Sequence, residues 1–225
     1  MMDRRESVLL VTKECLDLGL RAEAIVFRDV TVGDSPPALR ARMRSAALDL
    51  RRRFVDVASL RGSAELRAFA DSYRSAGVNP RRQQPGCERL AEFAWKRGEL
   101  PAINSLVDAY NMVSVRWLLS LGAHDLRAVS LPIRLTIVPG DMTFTPLGTS
   151  ASGDVGPGEF AYVDDGGRVI CRLDVIQADF SKVTAATTGV VVIVEGTSSH
   201  DGAAFSAART ELVELIGEFC GGSAA

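Results

Sequence analysis

Histidine and cysteine are scarce in this chain: His124, His200, Cys15, Cys87, Cys171 and Cys220 are all that 225 residues contain. Subtracting their numbers puts the cysteines 72, 84 and 49 residues apart, without the short paired spacings that zinc sites use. That pattern argues against zinc and against a disulfide framework, and no metal or cofactor is expected. No run reaches 18 apolar residues, so no membrane-spanning segment is expected. The start, MMDRRESVLLVTKECLDLG, interrupts its apolar stretch with Lys13, Glu14 and Asp17 and lacks the features of a signal peptide, which points to a cytoplasmic protein. The glycine string at 153–158 precedes no Lys-Ser or Lys-Thr helix, so it is no phosphate-binding loop. A Gly-x-Ser-x-Gly elbow is also missing, and neither histidine has a nucleophile partner in sequence, so a serine or cysteine hydrolase is not indicated.

What is present is an ordinary globular composition, 47% hydrophobic and 24% charged, which excludes disordered, collagenous and coiled-coil chains. The net charge of −2 is unevenly spread: residues 1–100 carry 19 Lys and Arg against 14 Asp and Glu, and residues 101–225 carry 7 against 14. A basic first half is compatible with a nucleic-acid face, although +5 is a small excess.

Periodicity predicts a helix over 5–19, a strand over 24–32 and a long amphipathic helix over about 37–59, in which Leu39, Met43, Ala46, Ala47, Leu50 and Phe54 recur at helical spacing. The other faces of that helix carry Arg40, Arg42, Arg44, Arg51, Arg52 and Arg53, which suit either a phosphate backbone or plain solvation. Ser63 opens a further helix that Gly77 stops, another runs from about Gly86 to Gly98, and the segment LPAINSLVDAYNMVSVRWLLSLG follows, so that the first 125 residues read mainly as helix. From Val129 the runs VSLPIRLTIV, FAYVDD, RVICRLDVI and TTGVVVIVEG read as strands, and SAARTELVELIGEFCGG as a closing helix. Helices followed by strands predict an α+β fold, a helical N-terminal half packed on a mainly antiparallel sheet, in one domain over 1–225.

Two polar clusters stand out. At 100° per residue Asn104, Asp108 and Asn111 align beside the buried face of their helix. Such groups take partners either from the protein's own backbone or from a ligand, and Asn104 also suits a helix cap. In QADFSKVTAATTG the hydroxyls of Ser181, Thr184, Thr187 and Thr188 sit where loop meets strand, a usual place for a binding wall, though threonine is also an ordinary strand former.

The ordered set SYRSAGVNPRRQQPGCERL, LPAINSLVDAYN, LGAHDL, VPGDMTF, PGEFAYVDD and SKVTAATTGVVVIVEG resembles the tRNA-editing domain of the phenylalanyl-tRNA synthetase β subunit, and looks most like the freestanding relatives of that module. The resemblance covers about 65–197, leaving 1–64 as a helix-strand-helix extension, and Asn-x-x-Val-Asp-x-x-Asn is its most specific piece. It implies an α+β domain whose cleft hydrolyses the ester of a mischarged aminoacyl-tRNA in trans, with no synthetase activity. It also implies that Asn111 contacts the misplaced amino acid, with Asn104, Asp108, Ser181, Thr187 and Thr188 around the substrate and Asp179 where the family has a glutamate. Gly122 stands where synthetase members carry a histidine, in Leu121-Gly122-Ala123-His124-Asp125, and His124 follows two positions later. Asp179 and Gly122 are therefore the positions assigned to catalysis, and Arg51, Arg52 and Arg53 those assigned to tRNA.

The partner implied is a tRNA acceptor end, with no DNA and no membrane, and a monomer is favoured. In the family the cleft acts on tyrosyl-tRNA, and with Gly122 in place of the histidine and Asp179 in place of the glutamate the resemblance does not carry that tyrosine specificity over. A non-catalytic module that binds an amino acid, a derivative or an aminoacyl-tRNA end is the alternative, and hydrolysis of a non-tRNA aminoacyl ester a third reading. With no strong base in the motifs, hydrolysis would be assisted by the vicinal ribose hydroxyl, with backbone amides near Gly122 or Gly189 polarising the carbonyl.

Overall fold

A computed structural model describes residues 7–225. In chain order the elements are β1 (Leu9–Val11), α1 (Lys13–Asp17), β2 (Leu20–Arg28), α2 (Pro37–Arg53), α3 (Val57–Arg61), α4 (Ala64–Ser75), α5 (Gly86–Arg97), α6 (Ser105–Trp117), β3 (Ser120–Asp125), β4 (Ile133–Ile137), β5 (Met142–Phe144), β6 (Gly153–Val155), β7 (Phe160–Val163), β8 (Val169–Arg172) and β9 (Ile176–Gln177). A single 3-10 turn at Asp179–Ser181 leads to β10 (Gly189–Thr197), α7 (Gly202–Cys220) and β11 (Ser223–Ala224). The fold is α+β, and its sheets are dominated by antiparallel pairs.

The centre is β10, whose sequence GVVVIVEGT is nearly continuous in apolar residues. A strand with that pattern has to be covered on both faces. It pairs antiparallel with β2 along all nine residues, Gly189 opposite Arg28 and Thr197 opposite Leu20, and with β3 on its other side. β11 extends this sheet to the order β11-β2-β10-β3. Val190, Val192 and Val194 point into a core shared with α2, α5, α6 and α7, where Leu39, Leu50, Leu106, Met112 and Leu212 are buried. Val191 and Ile193 point the other way, onto Leu135, Phe160, Tyr162 and Ile170 of the five-stranded sheet β1-β4-β7-β8-β9. The result is three layers: helices, a four-stranded sheet and a five-stranded sheet. No helix among the described residues is long and apolar enough to cross a membrane.

Several helix ends follow their sequence signals. Ser63 caps α4 by accepting from the Leu66 N–H, and Gly98 ends α5 in the left-handed region at φ 74°. The expected helix over 5–19 is corrected: Leu9–Val11 form a strand parallel to β4, and only Lys13–Asp17 are helical. Residues 5 and 6 lie outside the described residues. Local periodicity lost there to a ladder that places Leu9 opposite Ile133.

The strand expected over 24–32 starts earlier, at Leu20, and stops at Arg28 because Asp29 takes a φ of 58°. The long helix expected over 37–59 is two helices. Phe54 is extended at φ −126°, and Asp56 opens α3 with a capping box in which its carboxylate accepts from the Ser59 N–H at 2.6 Å. The first 125 residues also hold β3, a strand inside a stretch expected to be mainly helical. The β5–β6 ribbon was not anticipated either.

One close approach limits the central strand. A Cβ at Gly196 would lie 2.6 Å from Leu119 Cδ2 and 2.8 Å from Phe205 Cζ, both on buried side chains. Gly196→Ala is expected to cost about 1–3 kcal/mol of stability through overpacking. The check is the urea midpoint at constant m-value; an unchanged midpoint would mean that these side chains have free room to move.

Candidate functional site

A cleft of about 640 Å³ opens along the free edge of β3, within the roughly 300–1,000 Å³ usual for small-molecule sites. α5 supplies Arg89, Leu90 and Phe93 to one wall, and α6 supplies Val107, Tyr110, Asn111 and Ser114 at the i, i+3, i+4, i+7 spacing of one helix face. Gly122 and His124 come from β3, Asp174 from the turn joining β8 to β9, and Gln177 from β9. Phe93 and Ile103 remain 39% and 60% exposed, so the mouth is apolar and reachable.

The polar residues singled out in the sequence separate by how they are partnered. Asn104 precedes the helix as its N-cap, accepting from the Val107 N–H at 2.9 Å. Asp108 is fully buried and faces away from the cleft, accepting from Ser35 Oγ at 2.5 Å and from the Ile103 N–H at 2.8 Å. The alignment of three polar groups on one helix face is thereby corrected: α6 begins at Ser105, and only Asn111 of the three lines the cleft. The Asn111 amide is 9% exposed and has no hydrogen-bond partner among the described residues. An amide so placed has unused donors and acceptors aimed at whatever enters.

The other predicted positions are spread more widely. Asp179 is outside the lining, held by Lys182 Nζ at 2.8 Å and by the Gly148 N–H at 3.1 Å, and the Lys182 hydrogen bond pulls its carboxyl below the usual range. Thr187 is buried in a knot of its own: Oγ1 donates to Asp125 Oδ2 at 2.7 Å and accepts from the Thr184 N–H at 3.0 Å. Thr188 is exposed, and its carbonyl accepts from the Val30 N–H. Gly122 does line the cleft, and a Cβ built on it would meet nothing within 4 Å.

Arg51, Arg52 and Arg53 lie in the last turn of α2, outside the cleft lining, and each has a partner: the Trp95 carbonyl at 2.7 Å, Asp49 at 2.8 Å and Glu65 at 2.8 Å. Arg89, which the sequence did not single out, lines the cleft, and its guanidinium has no ion-pair or hydrogen-bond partner among the described residues. Its only advance signal was its place one turn from Gly86 and Phe93 on the same face.

His124 is the other residue whose place sequence spacing hid. In the β3–β10 register Ser120, Gly122 and His124 lie opposite Glu195, Ile193 and Val191 and share their face of the sheet. The ring is 3% exposed, its Nδ1 lies 2.9 Å from Ser181 Oγ, and Nε2 has no partner among the described residues. Ser181, itself buried, thus reaches the site through His124. Burial pushes the imidazole down to about 4, so it is neutral at physiological pH.

The chain thus has the build of an α+β binding module with a half-enclosed cleft at a sheet edge. The sequence profile of the B3/4 domain matches residues 70–221, and the chain belongs to that family, a module of the phenylalanyl-tRNA synthetase β subunit. The match runs past the 65–197 expected, through α7. Among solved structures, the crystal structure of an N-terminal fragment of the phenylalanyl-tRNA synthetase β subunit from Pyrococcus horikoshii is similar over 100% of this chain and 52% of its own, at 12% identity and a TM-score of 0.49. This chain spans about half the length of that fragment. No curated protein matches the chain.

The contrast between Asn111 and Asp108 is measurable. Asn111→Ala breaks no protein hydrogen bond and should leave the unfolding midpoint nearly unchanged while weakening ligand binding by about 0.5–1.5 kcal/mol. Asp108→Ala strands the Ile103 N–H and should cost about 1–3 kcal/mol of stability. Equal destabilisation in the two variants would make Asn111 structural.

The pH dependence has a definite sign. Below its ordinary value of 6.5 the unfolded His124 takes up a proton that the folded ring refuses until about pH 4, so stability falls as pH drops across that window, by up to about 3 kcal/mol. Thermal unfolding of His124→Gln should show a shallower loss between pH 6.5 and 4. Superimposable profiles for the two proteins would show that the ring titrates normally.

Proposed function

We propose that the cleft receives the aminoacyl group of a mischarged tRNA and that the chain removes it by hydrolysis in trans. The observation that carries this reading is the pair of unpartnered groups facing the cleft, the Asn111 amide and His124 Nε2, in a module related to the synthetase β subunit. An amide and a neutral imidazole can hydrogen-bond a carbonyl, an amine or a water without committing charge. Arg89 at the same wall suits a phosphate of the acceptor end.

Ester hydrolysis needs a placed water, a route for its proton and a site for the developing oxyanion. The two groups the sequence offered as bases do not serve here: His124 is held at about 4, and Asp179 is tied to Lys182 outside the cleft. The mechanism that fits is assistance by the substrate. The vicinal hydroxyl of the terminal ribose orients water at an already activated ester, and positioning alone supplies about 7–11 kcal/mol in favourable cases. Asn111 fixes the aminoacyl group, and Gly122, free of any side chain, leaves room for it beside the edge strand.

The test is release of labelled amino acid from a panel of misacylated tRNAs, followed by single turnover on a tRNA whose terminal adenosine lacks the vicinal hydroxyl. The expected result is acceleration for at least one normal tRNA and its loss for the deoxy form. No acceleration across the panel sinks the proposal, and equal rates on the two forms sink the mechanism. Between pH 5.5 and 8 the rate should show no inflection from His124; a limb near 6.5 that disappears in His124→Gln would make the histidine the base. Arg89→Ala should reduce the salt dependence of tRNA binding by about one phosphate contact, whereas changing Arg52 should leave it unaltered.

The low basicity of His124 and the tied carboxylate of Asp179 support a second reading, a module that binds an aminoacyl-tRNA end without turning it over. Tight binding across the panel with no release would establish it.

A further inference from the structure

Adjoining the cleft is a smaller space of about 30 Å³, to which Tyr162 of β7 and Ile193 and Glu195 of β10 contribute walls of their own. Ser120, Leu121, Gly122, His124, Cys171 and Asp174 line both spaces, so the smaller is an annex of the larger. Gly122 has no side chain to divide them. The annex has room for one water-sized group and none for a ring.

Two carboxyl groups face it. Glu195 is 1% exposed; Tyr162 Oη donates to its Oε2, and its Oε1 has no hydrogen-bond partner. Asp174 accepts from Tyr73 Oη and from the Gly86 N–H at 2.9 Å, which leaves lone pairs on both oxygens. The titratable neighbours are His124 from β3, Tyr162 from β7, Cys171 from β8, Cys87 from α5, Tyr73 from α4 and Cys15 from α1. None is cationic at neutral pH, and no lysine or arginine lines the annex. Buried carboxyl groups without a cation are normally costly, and they are relieved either by taking a proton or by receiving a positive ligand. Burial and the nearby Asp174 charge push the Glu195 carboxyl well above the usual range, which favours its protonated form while nothing positive is beside it.

We propose that the annex is an ammonium subsite, in which a primary ammonium group of the ligand passes Gly122 and is held by Glu195 Oε1 and the Asp174 carboxyl. An ammonium fits the volume, brings three donors to oxygens that have spare lone pairs, and supplies the charge that this end of the cleft lacks. The inference rests on the cleft being the ligand site, as proposed above, but not on turnover. The ammonium has two sources, the α-amino group of an aminoacyl moiety or an amine at the end of its side chain.

The experiment is calorimetric titration of the full chain with three amides: phenylalaninamide, which has an α-ammonium only; Nα-acetyl-lysinamide, which has a side-chain ammonium only; and Nα-acetyl-phenylalaninamide, which has neither. At least one ammonium-bearing amide should bind tenfold or more tightly than the doubly neutral one, and which one does identifies the source. Its binding near pH 7 should release a proton from the carboxyl pair, read from the difference in heat between two buffers of unlike ionisation enthalpy. Glu195→Gln, which keeps an acceptor for Tyr162, should abolish both the preference and the proton release. Should that variant fold poorly, Gly122→Leu, which plugs the passage from the cleft side, should abolish them as well.

Equal binding of the three amides, or a preference that survives both substitutions, overturns the subsite. Preferential binding with no proton release overturns it too, because a neutral donor contact would then suffice. Deacylation retained by wild-type protein that shows no ammonium preference removes the subsite and keeps the proposed function; the preference without deacylation does the reverse.

Discussion

The structure depends on burying β10 from both sides. A run of five consecutive aliphatic residues, Val190–Val194, cannot alternate between core and solvent, so helices must cover one face and a second sheet the other. Each side then contributes to function. The helical layer sets α5 and α6 beside the edge strand β3, and the second sheet brings the β8–β9 turn beneath it. The cleft is the seam where these layers fail to close at the sheet's last strand. Residues ahead of the family match belong to the same construction, since β2 forms one full flank of β10 and α2 packs over it.

Within that seam, what marks a residue for ligand contact is a missing partner. Asn104, Asp108 and Thr187 are all polar, all at or near the buried layers, and all hydrogen-bonded at 2.5–3.0 Å to protein groups. Their energetic value is already committed to holding the 33–35 and 103 loops and the approach to β10. Asn111, Arg89, His124 Nε2 and Glu195 Oε1 lack such partners and converge on the cleft and its annex. A buried polar group that the fold leaves unpaired is tolerated where a ligand or water completes it.

The sequence made the helices with strong punctuation legible: Ser63 before α4, Gly98 after α5, and the aliphatic spacing of α2. It misled where a tertiary pairing overrode local pattern, as in β1, or where a capping box interrupted an otherwise helical run, as at Asp56 and Ser59. The α+β class and the family were legible through ordered motifs, each weak alone. The site was legible only in part. A helical wheel places Asn104, Asp108 and Asn111 together because it knows angles, but which amide is already satisfied depends on Ser35 and Ile103, which it does not contain. Glu195 and Asp174 gave no signal at all, because their meeting depends on the register between β10 and β3 and on the turn after β8.

Charge is the clearest case of a property that changes meaning on folding. The acidic second half suggests a negative surface, yet Asp125, Asp164 and Glu195 are 7% exposed or less, and Asp125 and Asp164 are paired to Arg127 and Arg168. The basic first half suggests a positive face, yet Arg42, Arg52, Arg53 and Arg61 are engaged with Glu218, Asp49, Glu65 and Glu92. Exposed pairs of this kind contribute little stability, but they cancel much of the field a polyanion would sense at a distance. At the cleft itself folding leaves the Arg89 guanidinium without an acidic partner on the wall and two buried carboxyl groups beside it. The cleft thus offers a positive group on its wall and acidic groups beside its floor, and a ligand complementary to it carries both an anionic and a cationic group.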